Sequence, residues 1–394
     1  MLNLNKIYLD HNATTPAAPE VLDIVTAILR NHVGNPSSVH SSGRSARVLI
    51  DEAREQVASL IGASPTEIVF TSGGTEANNL ALLGVALGRG EGRGHIVTSQ
   101  VEHPSILNPC RQLENMGFDV DLVKVDRLGR VDLEALENCL TESTLLLSLQ
   151  HANSETGVLQ DINEIGQIAK NKGVLFHTDA VQSVGKVPVR VQDIPVDMLS
   201  ISAHKLNGVK GVGALYIRRG SPDLFSPLCG GGQEKKRRGG TENVAGIAGF
   251  GKACEIAQKY LGSQEASRLS SLRDYLYKLI SNQITGVKIF GDLENRLPNT
   301  LNLGFEGVDG DTLLIGLDME GVAVSTGSAC SSGSGMPSPV LTAMDIPIEE
   351  INSSIRFSLG WSNTVAEIEK AVKVLVKTVS LNRIGNSSAL SKKY

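Results

Sequence analysis

The chain has 394 residues, 41% hydrophobic and 20% charged, with a net charge of -5 at pH 7. This composition fits a globular protein with a sizeable core, divided into a large unit and a smaller one. The weak negative charge offers no electrostatic route to nucleic acid or an anionic membrane, and the longest apolar stretch, "LALLGVALG", is too short to span a bilayer. The N-terminal "MLNLNKIYLDHN" does not read as a signal peptide, so a cytoplasmic location is expected.

In chain order, "PEVLDIVTAILRNH" places Val21, Ile24, Val25, Ile28 and Leu29 at helical spacing, and "SARVLIDEAREQVASLIG" repeats the pattern. Seven short apolar runs follow: "EIVF" (67–70), "HIVT" (95–98), "DVDLVKV" (119–125), "TLLLSL" (144–149), "VLFHT" (174–178), "VDMLSIS" (196–202) and "GALYIR" (213–218). Helical segments such as "NNLALLGVAL" and "INEIGQIAKNKG" separate them. Buried parallel strands read as continuous apolar runs, so this alternation predicts a doubly wound, mostly parallel α/β sheet. A helical stretch near 243–283 leads to "VKIFG", "NTLNLGF", "DTLLIGLDMEGVAV" and "SSIRFSLG", which read as a smaller α+β unit. The expected division is a large domain over 15–260 and a small one formed by 1–14 and 261–394.

Five cysteines, Cys110, Cys139, Cys229, Cys254 and Cys330, are widely spaced without a CxxC pair, which argues against a disulfide framework or a structural zinc site. Four read as buried small hydrophobes. Cys330 differs: it lies in "STGSACSSGSG" (325–335), among small residues that will not hold a helix or strand.

Ligands of an open α/β sheet bind at the carboxyl ends of its strands. "EIVF" is followed by "TSGGTEANNL", either an anion site at a helix N-terminus or a hydroxyl-capped turn. The later runs deliver His103, then His151 and Asn153, then Asp179 and Gln182, then Ser202, His204 and Lys205. Singly, each His reads as structural and each Asp as a helix cap. Together they shift the balance. Asp179 and Lys205, expected one strand–helix–strand unit apart, can face one crevice. A lysine in a partly dry site forms a Schiff base, and a carboxylate holds a pyridinium nitrogen protonated. A phosphate cradle, an Asp and a Lys are what pyridoxal phosphate requires, with His103 stacked on its ring and Gln182 on its phenolic oxygen.

"YLDHNATTP", "GNPSSVH", "FTSGGTEANNLAL", "HTDAVQSVGK", "SAHKLNGVKGVGALY", "GGGQEKKRRGGTENV", "STGSACSSGSG" and "SSIRFSLG" occur in order from about residue 6 to residue 375. As a set they resemble the class V aminotransferase superfamily, and more narrowly the NifS/IscS group of cysteine desulfurases. The resemblance implies a homodimer with the PLP fold type I architecture. It implies that Lys205 is the Schiff-base lysine, that Asp179 pairs with the pyridinium nitrogen, and that His103 stacks on the ring. Gly74, Thr75, Ser202 and His204 would bind the phosphate, joined by Thr241 from the other subunit. Gln182 and Asn153 would contact the phenolic side. Arg356 would clamp the substrate carboxylate, with Asn153 and Asn35 nearby.

The implied reaction converts L-cysteine to L-alanine and transfers the sulfur to Cys330 as a persulfide. An acceptor or iron–sulfur scaffold protein would then collect it. No metal is expected. The chain stops at "LNRIGNSSALSKKY", without the longer C-terminal extension that docks a scaffold in IscS-type proteins, so the identity of the acceptor stays open. Cys229, in "PLCGGGQE", reads as structural. A selenocysteine lyase or cysteine-sulfinate desulfinase is the enzymatic alternative, and a non-catalytic scaffold of the same fold is the alternative of another class.

Overall fold

The computed structural model describes residues 6–89, 93–326 and 337–391, with side chains described to residue 384 apart from Ala266. Cys330 lies outside the described residues.

The strands in chain order are β1 (Ile7–Tyr8), β2 (Ile68–Thr71), β3 (His95–Ser99), β4 (Asp119–Val123), β5 (Thr144–Gln150), β6 (Leu175–Asp179), β7 (Met198–Ser202), β8 (Gly213–Ile217), β9 (Val287–Phe290), β10 (Thr300–Phe305), β11 (Val322–Ala323) and β12 (Ser354–Ser358). All seven apolar runs became strands of one sheet, in the order β2-β8-β7-β6-β5-β3-β4. Its pairings are parallel except those of β8, which runs antiparallel to both neighbours. β2 therefore runs parallel to β7, and the carboxyl ends of β2, β3, β5, β6 and β7 share one edge. Helices cover both faces. One core packs Phe70, Leu147, Phe176 and Leu199 against Phe250, and the other packs Val69, Leu146 and Met198 against Leu80 and Leu113.

One connection differs from the sequence expectation. Between β6 and β7 the chain makes turns and an isolated bridge between Val184 and Val187, not a helix. Gly185 has φ 81°, and Pro188 and Pro195 interrupt the segment, so an α-helix has no uninterrupted run there. Asp179 and Lys205 remain at the ends of adjacent strands.

The expected helix near 243–283 is two helices, Val244–Leu261 and Glu265–Gln283. Beyond them, β12-β10-β9 forms an antiparallel sheet. Its own core joins Leu301, Phe305 and Phe357 to Leu276, Leu313 and Leu375, and takes in Ile7 and Leu9 from the other end of the chain. The N-terminal strand β1 pairs with β11, Asn12 N donates to Ser358 Oγ at 2.9 Å, and Thr15 N donates to the His204 carbonyl at 3.0 Å. Residues 7–15 thus run from the small sheet to the loop that carries Lys205.

Candidate active site

The turn after β2 is tight. A Cβ on Gly74 would stand 2.7 Å from Val181 Cγ2, so only glycine lets the N-terminus of the helix Gly74–Arg89 approach the end of β6. This brings free first-turn N–H groups to one wall of a cavity of about 270 Å³. Gly74, Thr75, His103, Asp179, Gln182, Ser202, His204 and Lys205 all line it, together with Ala13, Asn78, Ser105 and Gln150.

Asp179 forms part of the floor. Its Oδ1 accepts from Val181 N at 3.0 Å and its Oδ2 from Asn78 Nδ2 at 2.7 Å. Asn78 Nδ2 also reaches Ser105 Oγ at 2.8 Å, which lies 2.7 Å from His103 Nδ1. Ser105 N donates to the same ring nitrogen at 3.1 Å. A backbone N–H can only donate, so Nδ1 accepts and the neutral ring carries its proton on Nε2. Burial lowers the His103 pKa, Asp179 raises it and Lys205 lowers it further, with a net lowering that favours the neutral ring.

Lys205 closes a short 3-10 turn directly after β7. Its Nζ donates to the carbonyls of Asn12 and Ala13, the latter at 2.8 Å. Gln182 Nε2 donates to the same Asn12 carbonyl at 2.9 Å. Burial, with Lys205 as the next cause, lowers the His204 pKa to about 4, so it offers a neutral imidazole near neutral pH.

Arg356 does not line the cavity but lies just behind it. Nη1 donates to the carbonyl of Ser154, a lining residue, at 3.1 Å, and Nη2 pairs with Asp10 Oδ1 at 2.7 Å. Its Nε is buried without a partner among the described residues.

Three further expected site residues do not line this cavity, one of them, Thr241, expected to act in the other subunit. Asn153 is buried, and its Oδ1 accepts from Glu155 N and Thr156 N, each at 2.9 Å, while its Nδ2 donates to the Val101 carbonyl. The asparagine caps its own turn, a use that "NSET" signals. Asn35 is exposed and does the same for Ser37 N at 2.9 Å. Thr241 is exposed beside a separate hollow lined by Phe70, Thr71, Arg238 and Glu242. His151 is buried at the end of β5, outside the cavity lining, with a pKa lowered to about 4 chiefly by burial.

The cysteine expectation needs one correction. Cys110 and Cys254 are buried and Cys139 is half-buried, but Cys229 is exposed, because the glycines 230–232 supply nothing to cover it.

The sequence reading missed Asn12, Asn78, Ser105 and Lys186, polar residues that join the lining side chains to one another. It also missed two buried acids. Burial is the largest cause at both: it raises Glu102 to about 8 against hydrogen bonds from Ser99 and Gln150, and Glu155 to about 7 against a hydrogen bond from Ser338. Short polar residues carry no periodicity, so no pattern singles them out.

The chain matches the aminotransferase class-V family over residues 7–371. It belongs to that family. It is 49% identical over 374 residues to the cysteine desulfurase IscS of Dictyoglomus turgidum, covering 95% of this chain and 94% of that protein. It is 45% identical over 377 residues to a cysteine desulfurase of Trichormus azollae, covering 95% and 93%. A solved NifS-like protein superposes with a TM-score of 0.90 at 38% identity, covering 95% of this chain and all of that one. SspA in complex with cysteine superposes with a TM-score of 0.80 at 36% identity, covering 90% and 98%.

Family members use pyridoxal phosphate, and the donor set of this cavity fits it. The lining supplies a carboxylate that would pair with a pyridinium nitrogen, a primary amine that would take an aldehyde, and hydroxyls with a helix N-terminus that would take a phosphate. The absent Cβ of Gly74 leaves space beside Val181 and Ser202, where a phosphate would sit.

Proposed function

We propose that this chain is a pyridoxal-phosphate-dependent cysteine desulfurase that converts L-cysteine to L-alanine and carries the sulfur on Cys330. The observation that carries the reading is the meeting of Lys205, Asp179 and His103 in one cavity, at the carboxyl ends of β7, β6 and β3 of one sheet.

When bound, pyridoxal phosphate supplies an electron sink that makes the substrate α-proton removable. Everything else falls to the chain. Asp179, its two oxygens fixed by Asn78 and Val181 N, would hold the ring nitrogen protonated. Ser202, His204, Thr75 and the helix N-terminus would hold the phosphate. Gln182 would donate to the phenolic oxygen, and His103, with its proton on Nε2, would cover the ring.

Arg356 binds the substrate carboxylate, a task suited to a planar guanidinium. Asp10 and the Ser154 carbonyl keep that guanidinium in place. Lys205 takes the proton from the substrate α-carbon and returns protons later. Its two carbonyl partners on Asn12 and Ala13 orient the amine without adding a counter-charge.

The Cys330 thiolate then attacks the substrate sulfur. An S–S bond forms as the Cβ–S bond breaks, and protons complete alanine. Cysteine plus thiol gives alanine plus persulfide, so no external oxidant or reductant is needed.

The site is completed in a homodimer, in which Thr241 of one copy reaches the phosphate of the other. An exposed Thr241 outside its own chain's cavity supports this arrangement. The persulfide passes to an acceptor protein of iron–sulfur or other sulfur chemistry. The test is purified protein with L-cysteine: alanine and sulfide should appear in equal amounts in the presence of a thiol reductant.

A further inference from the structure

Lys186 is a second lysine at the back of the site, 7% exposed. Its Nζ donates to Gln182 Oε1 at 2.8 Å and to Asn12 Oδ1 at 3.2 Å. No salt bridge joins it to a carboxylate among the described residues. The titratable groups acting on it are Lys205 and Arg356, both of which disfavour its charged form, and its own field reaches His11 and His204. Burial, with these two cations, holds its pKa well below the ordinary lysine range. An apolar side chain would fill the same space without the cost of desolvating an amine.

The geometry shows what the amine does. A carboxamide can turn over with little change in shape, so its partners decide which end is which. Gln182 has an N–H donor at its oxygen end and a carbonyl, which can only accept, at its nitrogen end. Turning it over would set its oxygen against the Asn12 carbonyl oxygen and take the acceptor away from Lys186 Nζ. Lys186 holds Asn12 in the same way: Asn12 Oδ1 also accepts from Asn299 Nδ2 at 3.1 Å, while its Nδ2 donates to Thr300 Oγ1 at 2.8 Å. The Asn12 carbonyl is in turn the shared acceptor for Lys205 and Gln182.

We propose that Lys186 is a positioning residue that locks the Gln182 carboxamide with its nitrogen toward the cofactor's phenolic oxygen, acting through Gln182 and Asn12 without touching substrate. This rests on the reading of the cavity as the cofactor site.

The test is a double-mutant cycle on holoenzyme with Lys186→Met, Gln182→Leu and the pair. The readout is the pH midpoint of the bound cofactor's visible absorbance. A donor to the phenolic oxygen stabilises its negative charge, so losing it lets the group keep its proton to higher pH. Lys186→Met should raise the midpoint by about one unit, a tenfold change in proton affinity. Gln182→Leu should do the same, and the pair should shift no further than Gln182→Leu alone, since the lysine works through the glutamine. An unchanged midpoint in Lys186→Met overturns the proposal, and so do shifts that add in the pair, which would mean a direct charge effect. Thermal melts of the variants report folding, and Lys186→Ala removes the amine without a thioether against Asn12. If neither variant folds, Lys186 is a folding residue and the assignment falls. If the wild type itself shows no visible band with added pyridoxal phosphate, the cofactor reading falls first.

Discussion

Asn78 Nδ2 stands 2.7 Å from Asp179 Oδ2 and serves Ser105 Oγ at 2.8 Å with the same nitrogen. One amide thus ties the carboxylate on the cavity floor to the hydroxyl that orients His103. Its own Oδ1 is buried with no partner among the described residues, so the residue is held by what it donates. Asn78→Ala should cut both ties. We expect pyridoxal phosphate to bind about 10- to 150-fold more weakly, as loss of a charge-assisted hydrogen bond costs roughly 1.5–3 kcal/mol. We also expect kcat to fall more than KM rises. Equilibrium dialysis of the cofactor and steady-state kinetics measure the two effects.

Arg356 offers a second prediction. Its guanidinium is anchored by Asp10 and the Ser154 carbonyl, geometry a lysine cannot reproduce. Arg356→Lys should lower kcat/KM for L-cysteine about 30- to 100-fold, mostly through KM, with cofactor affinity unchanged. A loss of cofactor instead would place Arg356 in the wrong role.

Glu102 makes a prediction about stability. Burial raises its pKa from 4.5 to about 8 in the folded chain. The folded state then keeps a proton that the unfolded state has released. Relative to Glu102→Gln, wild-type stability should be unaffected below about pH 4.5, decline as pH rises from there to about 8, and level off above. The fall should be on the order of a few kcal/mol. Denaturant melts of both proteins across this range give the difference, and a wild type that gains stability relative to the variant as pH rises would contradict the assignment.

Gly360 packs against the ring of His11. A Cβ there would stand 2.1 Å from His11 Cε1, and the buried ring has nowhere to move. Gly360→Ala should therefore destabilise the protein by roughly 1–3 kcal/mol. Since His11 precedes Asn12, the substitution should also weaken cofactor binding. Thermal melting and cofactor titration together check this.

Much of the sheet was legible from hydrophobic continuity alone. Runs such as "TLLLSL" and "VDMLSIS" are buried on both faces, and a run of this kind has few other ways to fold. The strand ends then placed Asp179, Gln182, Ser202, His204 and Lys205 at one edge, and the structure brings them into one cavity with Gly74, Thr75 and His103. What escaped was set by tertiary neighbours. Asn12 and Lys205 are 193 residues apart, and nothing local to Asn12 marks its carbonyl as an acceptor for the lysine. Lys186 follows a glycine and has no local mark of burial, yet it is buried among carboxamides. Asn35 and Asn153 differ again: the motifs draw attention to them, and in the structure their side chains accept hydrogen bonds within their own turns.

The central claim is that sulfur leaves L-cysteine and lands on Cys330. The most direct measurement is peptide mass spectrometry of the holoenzyme after one equivalent of L-cysteine without reductant, alongside quantified alanine. The account predicts one added sulfur atom on the peptide carrying Cys330, matched by one equivalent of alanine. It also predicts that Cys330→Ala keeps the cofactor's colour but gains no sulfur. Alanine without sulfur on Cys330, or undiminished desulfurase activity in Cys330→Ala, would contradict it.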